Sequence, residues 1–436
     1  MRKCGNKCLY RRVLAGALSV LLAVGTGACG GKAETGTGQA EVLTQGAEAG
    51  TGSAAQSANG SDIELQQAGS GQSGSAVSAA PVWNDMQPER SMELSYAKQF
   101  SVDYYAGGYD LIQVQDDSTY LVVPEGAAVP EGAAVPEGLP ASITVLQKPL
   151  DHVYLAATSA MDLIAALDRT DRITLSGTKE SGWYVEAAKE AMEEGTLAYA
   201  GKYSAPDYEQ ILSSGCDLAL ESTMIYHVPD VKAQLEQLKI PVFVERSSYE
   251  THPLGRMEWI RLYGVLFDEE EKAEQLLKEQ AEQLDTVLIE KSTGKTVAFF
   301  YITTNGAVNV RKPGDYVAKM IELAGGSYVP QTADADENAL STMNMQMEAF
   351  YAETKDADCL IYNSTIDGEL QTLDELLQKN PLLADFKAVK NGNVWCTGKN
   401  MFQETMGLGN MILDMHAVLS EDMLDEAGLH YLHRLR

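Results

Sequence analysis

The sequence predicts an α/β protein of two lobes with mainly parallel sheets flanked by helices, joined by one long helix. Three observations carry this. Short apolar runs alternate with amphipathic stretches along 151–246 and again along 296–398, and such alternation predicts parallel sheets covered on both faces. Between the two series lies one helical stretch, 253–288. And one grammar occurs twice: "DYEQILSSGCDLALEST" (207–223) returns as "MEAFYAETKDADCLIYNST" (347–365). Each copy opens with a Glu in a short helical segment, passes an Asp, runs through mostly apolar residues and stops on Ser-Thr. The spacing is loose, 13 residues from Glu209 to Ser222 and 16 from Glu348 to Ser364. Two halves built on one plan are the simplest explanation.

The chain opens on "MRKCGNKCLYRR", continues with "VLAGALSVLLAV" (13–24) and reaches "GTGACG". These are the basic, apolar and small-residue parts of a signal peptide, residues 1–28. A membrane-spanning helix needs ~20 apolar residues, more than this run supplies. Gly27 and Ala28 before Cys29 resemble a bacterial lipobox, with Thr26 where Leu is more usual. Cleavage there leaves Cys29 to carry acyl chains; an ordinary secreted protein with a chance Cys is the alternative. From Cys29 to residue 91 the chain reads as a disordered tether. Residues 30–80 are rich in Gly, Ser, Ala, Gln and Thr and cannot bury enough apolar surface to offset the entropy of ordering.

About 340 residues remain to fold, enough for two domains. The chain holds 62 acidic and 33 basic residues, a formal net charge of −29. So acidic a body is a poor partner for nucleic acid or anionic lipid, which leaves the acyl anchor as its membrane contact. Of six cysteines, Cys4 and Cys8 leave with the signal and Cys29 is the anchor. Cys216, Cys359 and Cys396 stay beside strands, as buried thiols or with a Cys359–Cys396 disulfide as a minor alternative.

Along the body, 101–126 reads as one or two hairpins around Gly-Gly and Asp-Asp-Ser turns. "AAVPEG" then occurs twice in tandem (127–132 and 133–138), too few copies to stack as a β-helix, so it reads as a loop insertion. The first lobe, 92–252, holds a buried strand, a Thr-Ser turn and a helix in 151–169, and further strands in "RITLSG", "DLALES" and "PVFVER". The interlobe helix spans 253–290, with Pro253 suited to its first turn and a break near Asp268. The second lobe, 291–436, alternates "TVAFFYITT", "DYVAKMIELAGG", "DCLIYNST", "LDELLQKNP" and "GNVWCTG", and the helix "GLGNMILDMHAVL" closes it.

This order of features resembles the solute-binding lipoproteins of ABC importers. More narrowly, it resembles the class with a rigid interlobe helix that binds ferric siderophores, haem and cobalamin. The resemblance covers about residues 100–420. It rests on the hairpin before the first lobe, "LAATSAMDLIAAL", "AGKYSAPDYEQILSSGCDLAL", the helix at 253–288 and "DYVAKMIELAGG" with its Ala-Gly-Gly ending. It implies a monomer that captures a metal chelate between its lobes and docks on an ABC permease dimer served by cytoplasmic ATPase subunits. The chain itself would hold no cofactor and no metal, and would do no covalent chemistry. In the family a Glu near the top of each lobe docks into an Arg-lined pocket of the permease. The matching residues are Glu209 and Glu348, with Glu353 a rival because "DAD" (356–358) adds residues before the strand. An acid in a first helical turn also favours the helix dipole without any partner.

Ligands of open α/β sheets bind beyond the carboxyl ends of the strands. That rule nominates Thr158, Ser159, Thr178, Lys179, Trp183, Lys202, Tyr203, Ser222 and Thr223 from the first lobe. The root of the long helix adds Arg246, Tyr249, His252 and Arg256. Tyr301, Thr303, Asn305, Arg311, Lys312, Asn363, Asn400 and Phe402 come from the second lobe. Lys179, Lys202, Arg311 and Lys312 stand out in so acidic a chain and would suit an anionic chelate, a carboxylate or catecholate siderophore. Tyr203 or His252 could ligate haem iron, although a single His at a loop–helix junction is more often structural.

An enzyme is a weaker reading. "SGTK" (176–179) has the S-x-x-K form but no S-D-N or K-T-G accompanies it. "GKT" (294–296) lacks the Gly a phosphate loop needs at Ile289. A ligand sensor or adhesin on the same scaffold would need no importer and would be indifferent to the two glutamates.

Overall fold

A hairpin ladder opens the fold. The computed structural model describes residues 81–130, 143–288, 292–331, 342–420 and 424–436; the signal peptide, Cys29, the tether to residue 80 and the second AAVPEG copy lie outside the described residues. Strands β1 (Pro88–Ser91), β2 (Phe100–Tyr105), β3 (Tyr109–Val114), β4 (Thr119–Val123) and β5 (Ile143–Gln147) form one sheet in chain order. Successive pairs from β1 to β4 are antiparallel, and β5 lies parallel to β4. Gly107 and Gly108, at φ of 82° and 80°, make the β2–β3 turn that side chains rarely permit. One face of this sheet (Val102, Ile112, Val122) joins the main core, and the other (Leu111, Leu121, Ile143) packs under Trp83.

The first lobe follows in strict alternation. It contains β6 (Val153–Leu155), α1 (Thr158–Ala166), β7 (Ile173–Ser176), α2 (Glu186–Glu193), β8 (Ala198–Tyr199) and a short ribbon of β9 (Gly201–Lys202) and β10 (Ala205–Pro206). Then come α3 (Tyr208–Ser213), β11 (Leu218–Ser222), α4 (Pro229–Gln237) and β12 (Val242–Glu245). The sheet order is β12-β11-β6-β7-β8 and every pair is parallel. Covered on both faces, its strands are continuous apolar runs rather than alternating ones.

The connection comprises α5 (Pro253–Met257), α6 (Trp259–Phe267) and α7 (Glu270–Leu288). It breaks at Asp268, whose φ of 59° and ψ of 40° are left-handed. There the chain reverses: Arg261 Nε lies 2.8 Å from Glu274 Oε1, and a Cβ on Gly264 would come within 3.1 Å of Glu270 Cα. The stretch is thus a helical hairpin, with every residue of α6 but Arg261 buried.

The second lobe contains β13 (Thr296–Ile302), β14 (Val308–Arg311), α8 (Tyr316–Leu323), β15 (Ser327–Val329), β16 (Thr342–Met345), α9 (Met347–Thr354) and β17 (Cys359–Tyr362). After them come α10 (Ser364–Asp367), α11 (Leu373–Lys379), α12 (Lys387–Lys390), β18 (Val394–Thr397), α13 (Leu408–Ser420) and β19 (Leu432–Arg434). The last helix therefore does not close the lobe: β19 returns antiparallel to β18. In β13 the first half pairs with β15 in parallel and the second half with β14 antiparallel.

The two lobes share one parallel core, β12-β11-β6-β7 in the first and β18-β17-β13-β15 in the second. The repeated Asp has the same task in each. Asp217 Oδ2 accepts the amides of Asp151 and His152, just before β6, at 2.8 and 3.1 Å. Asp358 Oδ2 accepts the amide of Thr296, at the start of β13, at 2.9 Å. Counting from these residues, Ser222 corresponds to Asn363 rather than Ser364, and both cap the turn that follows their strand. The remaining spacing difference is one of helix length, six residues in α3 and eight in α9.

Cys359 and Cys396 are both free thiols. Cys359 faces the main core and Cys396 the second lobe's own core, on opposite faces of the sheet, so no bridge joins them. The main core runs without interruption from the first sheet through α6 to α8 and α13. Apolar packing of that extent holds the lobes together.

Candidate functional site

The topology puts a crevice where the strand order reverses on each lobe, outside the carboxyl ends. A cavity of about 530 Å³ lies there. The first lobe supplies Ala156, Thr158 and Ser159 after β6, Ser222, Thr223 and Met224 after β11, and Glu245, Ser248 and Tyr249 at the end of β12. Arg256 comes from α5, and the second lobe adds Arg311, Asp315, Tyr316 and Phe402. A second compartment of about 410 Å³ shares Thr158 and Phe402 and extends to Tyr184, Ile366 and Lys399.

Two guanidiniums set the character of the first compartment. The Arg256 Cζ is 3.5 Å from the Tyr316 ring centroid, and Arg256 Nη2 donates to Ser248 O at 2.6 Å. Arg311 Cζ stands 5.8 Å from the same ring and 5.6 Å from that of Phe402. Burial pulls the Arg256 pKa down from its ordinary value, opposed by the nearby Tyr316 and Asp315, yet a guanidinium stays charged in proteins.

Two carboxyls flank them. Asp315, 1% exposed, caps α8 by accepting the Val317 amide at 2.9 Å and lies 3.6 Å from Arg311 Nη1. Glu245, 1% exposed, accepts the Ser247 amide at 2.8 Å and the Ser159 hydroxyl at 3.0 Å. Burial pushes both pKa values up, while hydrogen bonds and the two arginines pull them back. Both acids are thus engaged by protein groups. Arg256 also donates from Nε to Glu250 O at 3.4 Å, and both guanidiniums sit against rings, which hold a cation without cancelling its charge.

Segment 403–406 pins the lobes to each other. Gln403 Oε1 accepts the Tyr184 amide and its Nε2 donates to Gly182 O, both at 2.8 Å. Thr405 Oγ1 donates to Ser159 O at 2.8 Å, and Asp162 Oδ2 accepts the Met406 amide at 2.7 Å.

Of the residues nominated from sequence, the cavity brings together Ser159, Ser222, Thr223, Arg256, Arg311 and Phe402, with Thr158 and Tyr249. Arg246 stands behind this wall, its Cζ 4.4 Å from the Tyr249 ring centroid. The others lie elsewhere. Trp183, 1% exposed, is a core residue whose indole donates to Ser176 Oγ. Lys179 stands 5.3 Å from the Tyr199 ring. Lys202 and Tyr203 belong to the β9–β10 ribbon and its turn, whose strands approach closely because Gly201 has no Cβ to meet Ala205 O at 2.5 Å. His252 caps α5, accepting the Leu254 amide at 3.2 Å, and stacks on Tyr96 at 4.4 Å.

Tyr301 packs on the second lobe's core and Asn305 turns back to Thr303. Asn363 caps α10 and Asn400 donates to Glu404. Sequence reasoning missed Glu245, Asp315 and Tyr316. The signal for the last two was present in "GDYVAKM", where an N-cap Asp and the first helical residue face the cleft. Among the described residues, no three His, Cys, Asp or Glu side chains gather as a metal site.

Two α/β lobes that meet at a crevice beyond the carboxyl ends of their strands, with two arginines and two carboxyls in its lining, define a two-lobed binding-protein fold. The profile of the periplasmic binding protein family matches residues 153–401, more than half of the chain, and the protein belongs to that family. The uncharacterized lipoprotein MJ0878 of Methanocaldococcus jannaschii is 24% identical over 301 residues, which are 66% of this chain and 69% of that protein. Lipoprotein MJ0872 of the same organism, also uncharacterized, is 23% identical over 342 residues, 76% and 82% of the two chains. Among solved structures, the periplasmic haem-binding protein HutB of Vibrio cholerae superposes with a TM-score of 0.50 at 17% identity, over 61% of this chain and 98% of its own. The petrobactin-binding protein YclQ of Bacillus subtilis gives 0.50 at 15% identity, over 62% and 93%. These likenesses establish the fold.

Proposed function

We propose that the chain is an extracytoplasmic solute-binding protein, lipid-anchored through Cys29, that captures an anionic metal chelate between its lobes and delivers it to an ABC importer. The observation that carries this reading is the pair Arg256 and Arg311, converging on Tyr316 in a cavity of about 530 Å³. Guanidiniums do not ligate metal ions but bind carboxylate and catecholate oxygens. The cargo is therefore a metal already wrapped in an organic chelator, with a siderophore favoured over haem or cobalamin. For haem, an axial ligand is needed: neither His252 nor Tyr203 lines the cavity, so a haem would have to use Tyr249, which does.

The fold offers a route for delivery. Helices α3 and α9 each precede a parallel strand, so their N-termini lie at the carboxyl edge of the sheets, beside the cleft. Glu209 and Glu348 are each the second residue of those helices, exposed and without an ion pair among the described residues. We assign them to permease docking, one per lobe; Glu353 sits at the other end of α9. We keep 92–252, 253–290 and 291–436 as the proposed lobes and connection. No helix among the described residues is long and apolar enough to cross a membrane, and the anchoring reading rests on the signal sequence and on relatives named lipoproteins.

Thermal melts of the mature chain against ferric catecholate, hydroxamate and carboxylate siderophores, haem, cobalamin and bare metal ions test the reading. A ligand at 100 times its dissociation constant stabilises by about 2.7 kcal/mol. A raised melting point with one anionic chelate class supports the proposal; no shift with any chelate sinks it.

A further inference from the structure

The first sheet precedes the family-matched stretch 153–401, yet its β3–β4 turn reaches the cleft wall. Asp117 in that turn holds a φ of 67°, and Asp116 Oδ1 accepts the Ser118 amide at 3.1 Å, which fixes the direction of its carboxylate. The second oxygen, Oδ2, accepts the Tyr226 hydroxyl. The Tyr226 oxygen in turn accepts Arg246 Nη1 at 3.3 Å, and Arg246 Nε donates to Gln99 Oε1, also at 3.3 Å. The guanidinium so held lies against Tyr249, which is 39% exposed and lines the cavity.

The same sheet is tied down beside Tyr249. Five successive amides leading into β2 donate to two buried carboxylates: Ser95, Tyr96 and Ala97 to Glu258, and Lys98 and Gln99 to Glu250. Trp259 donates its indole N–H to Glu250 as well. Glu250 directly follows Tyr249, so the strand entering the first sheet and the cleft wall cannot shift independently.

We propose that Asp116, Tyr226 and Arg246 are positioning residues that hold Tyr249 at the cleft wall, so that a turn outside the family-matched stretch sets which ligands the cleft accepts. This rests on the reading of the cleft as the ligand site. It makes the first sheet a specificity element rather than a spacer between tether and lobes.

The four native tryptophans are buried, at 5% exposure or less, so a Trp placed by Tyr249→Trp is the one an aqueous quencher reaches readily. Acrylamide quenching is measured on the ligand-free mature chain carrying Tyr249→Trp, alone and combined with Asp116→Asn or Tyr226→Phe. Asp103→Asn, on β2, serves as control. Quenching that rises in both combinations but not in the control is expected. Equal quenching in all four chains overturns the inference. Tyr226→Phe removes a single oxygen and keeps the test valid if Asp116→Asn fails to fold.

In parallel, binding of ferric citrate, a ferric tris-catecholate and haem is measured with Asp116→Asn and Tyr226→Phe in the native Tyr249 background. A change of several-fold in the ratio of their affinities supports the specificity role, and unchanged ratios overturn it. If the wild-type chain binds none of the three while quenching still rises, the wall is held as proposed and the ligand reading is what falls.

Discussion

The guanidinium of Arg256 lies flat enough on Tyr316 to bring Cζ within 3.5 Å of the ring centroid. Arg256 lies in α5 of the helical connection and Tyr316 opens α8, so this contact ties the connection to the second lobe across the cleft floor. It also presents a cation that the ring holds in place without neutralising. Arg256→Lys keeps the charge but loses the planar donor set and the stacking. We expect Arg256→Lys to weaken binding of an anionic chelate about as much as Arg256→Gln does. Titrations of both variants check this; full rescue by Lys would mean that charge alone matters.

Gln403 acts as a peptide-like bridge, accepting from Tyr184 and donating to Gly182. Gln403→Ala frees both backbone groups to water, at a cost of about 1–2 kcal/mol for two hydrogen bonds. The expected outcome is a lower melting point and faster amide exchange at 182–185, with little change in the first sheet.

Glu221 is wholly buried on β11 with neither carboxyl oxygen hydrogen-bonded. Burial pushes its pKa from 4.5 up to about 8. Because the folded state holds the proton more tightly than the unfolded chain, stability falls as pH rises from 4.5 to about 8, and the contribution levels off above that. Glu221→Gln and Glu221→Met should therefore melt close to wild type at acid pH and progressively above it towards pH 8. A constant offset at every pH would contradict the assignment.

Glu209 and Glu348 occupy the same place on α3 and α9. Reversing their charge, Glu209→Arg with Glu348→Arg, is expected to leave ligand affinity within error of wild type and to lower the melting point by no more than a few degrees, the loss of an acid from two first helical turns, while abolishing uptake in cells. Unimpaired uptake would favour a sensor on this scaffold.

Much of the fold was legible because parallel strands buried on both faces announce themselves as apolar runs, as in "DLALES" and "TVAFFYITT". The internal repeat was legible through Asp217 and Asp358, whose side chains cap the neighbouring strand's start in both lobes. Its last letters were misaligned, because Asn363 caps its turn as Ser222 does and the eye pairs Ser with Ser. The reversal at Asp268 left only a faint signal, since a left-handed Asp reads like any helical Asp. At the site, Arg256 and Arg311 stood out against an acidic chain, whereas Trp183 and His252 were nominated for chemistry that the fold spends on its core and on a helix cap. Tyr316 was hidden because it looks like the first core residue of a helix, which it also is.

If Arg256 and Arg311 receive an anionic chelate, as we propose, removing one of them must weaken its binding. Isothermal titration of the mature chain with an anionic ferric catecholate or carboxylate chelate, and with neutral cobalamin, tests it most directly when repeated on Arg311→Gln. Wild type is expected to bind an anionic chelate and the variant to lose about tenfold or more in affinity, the worth of one charge-assisted hydrogen bond. Equal affinity in both proteins, or binding of cobalamin alone, would contradict it.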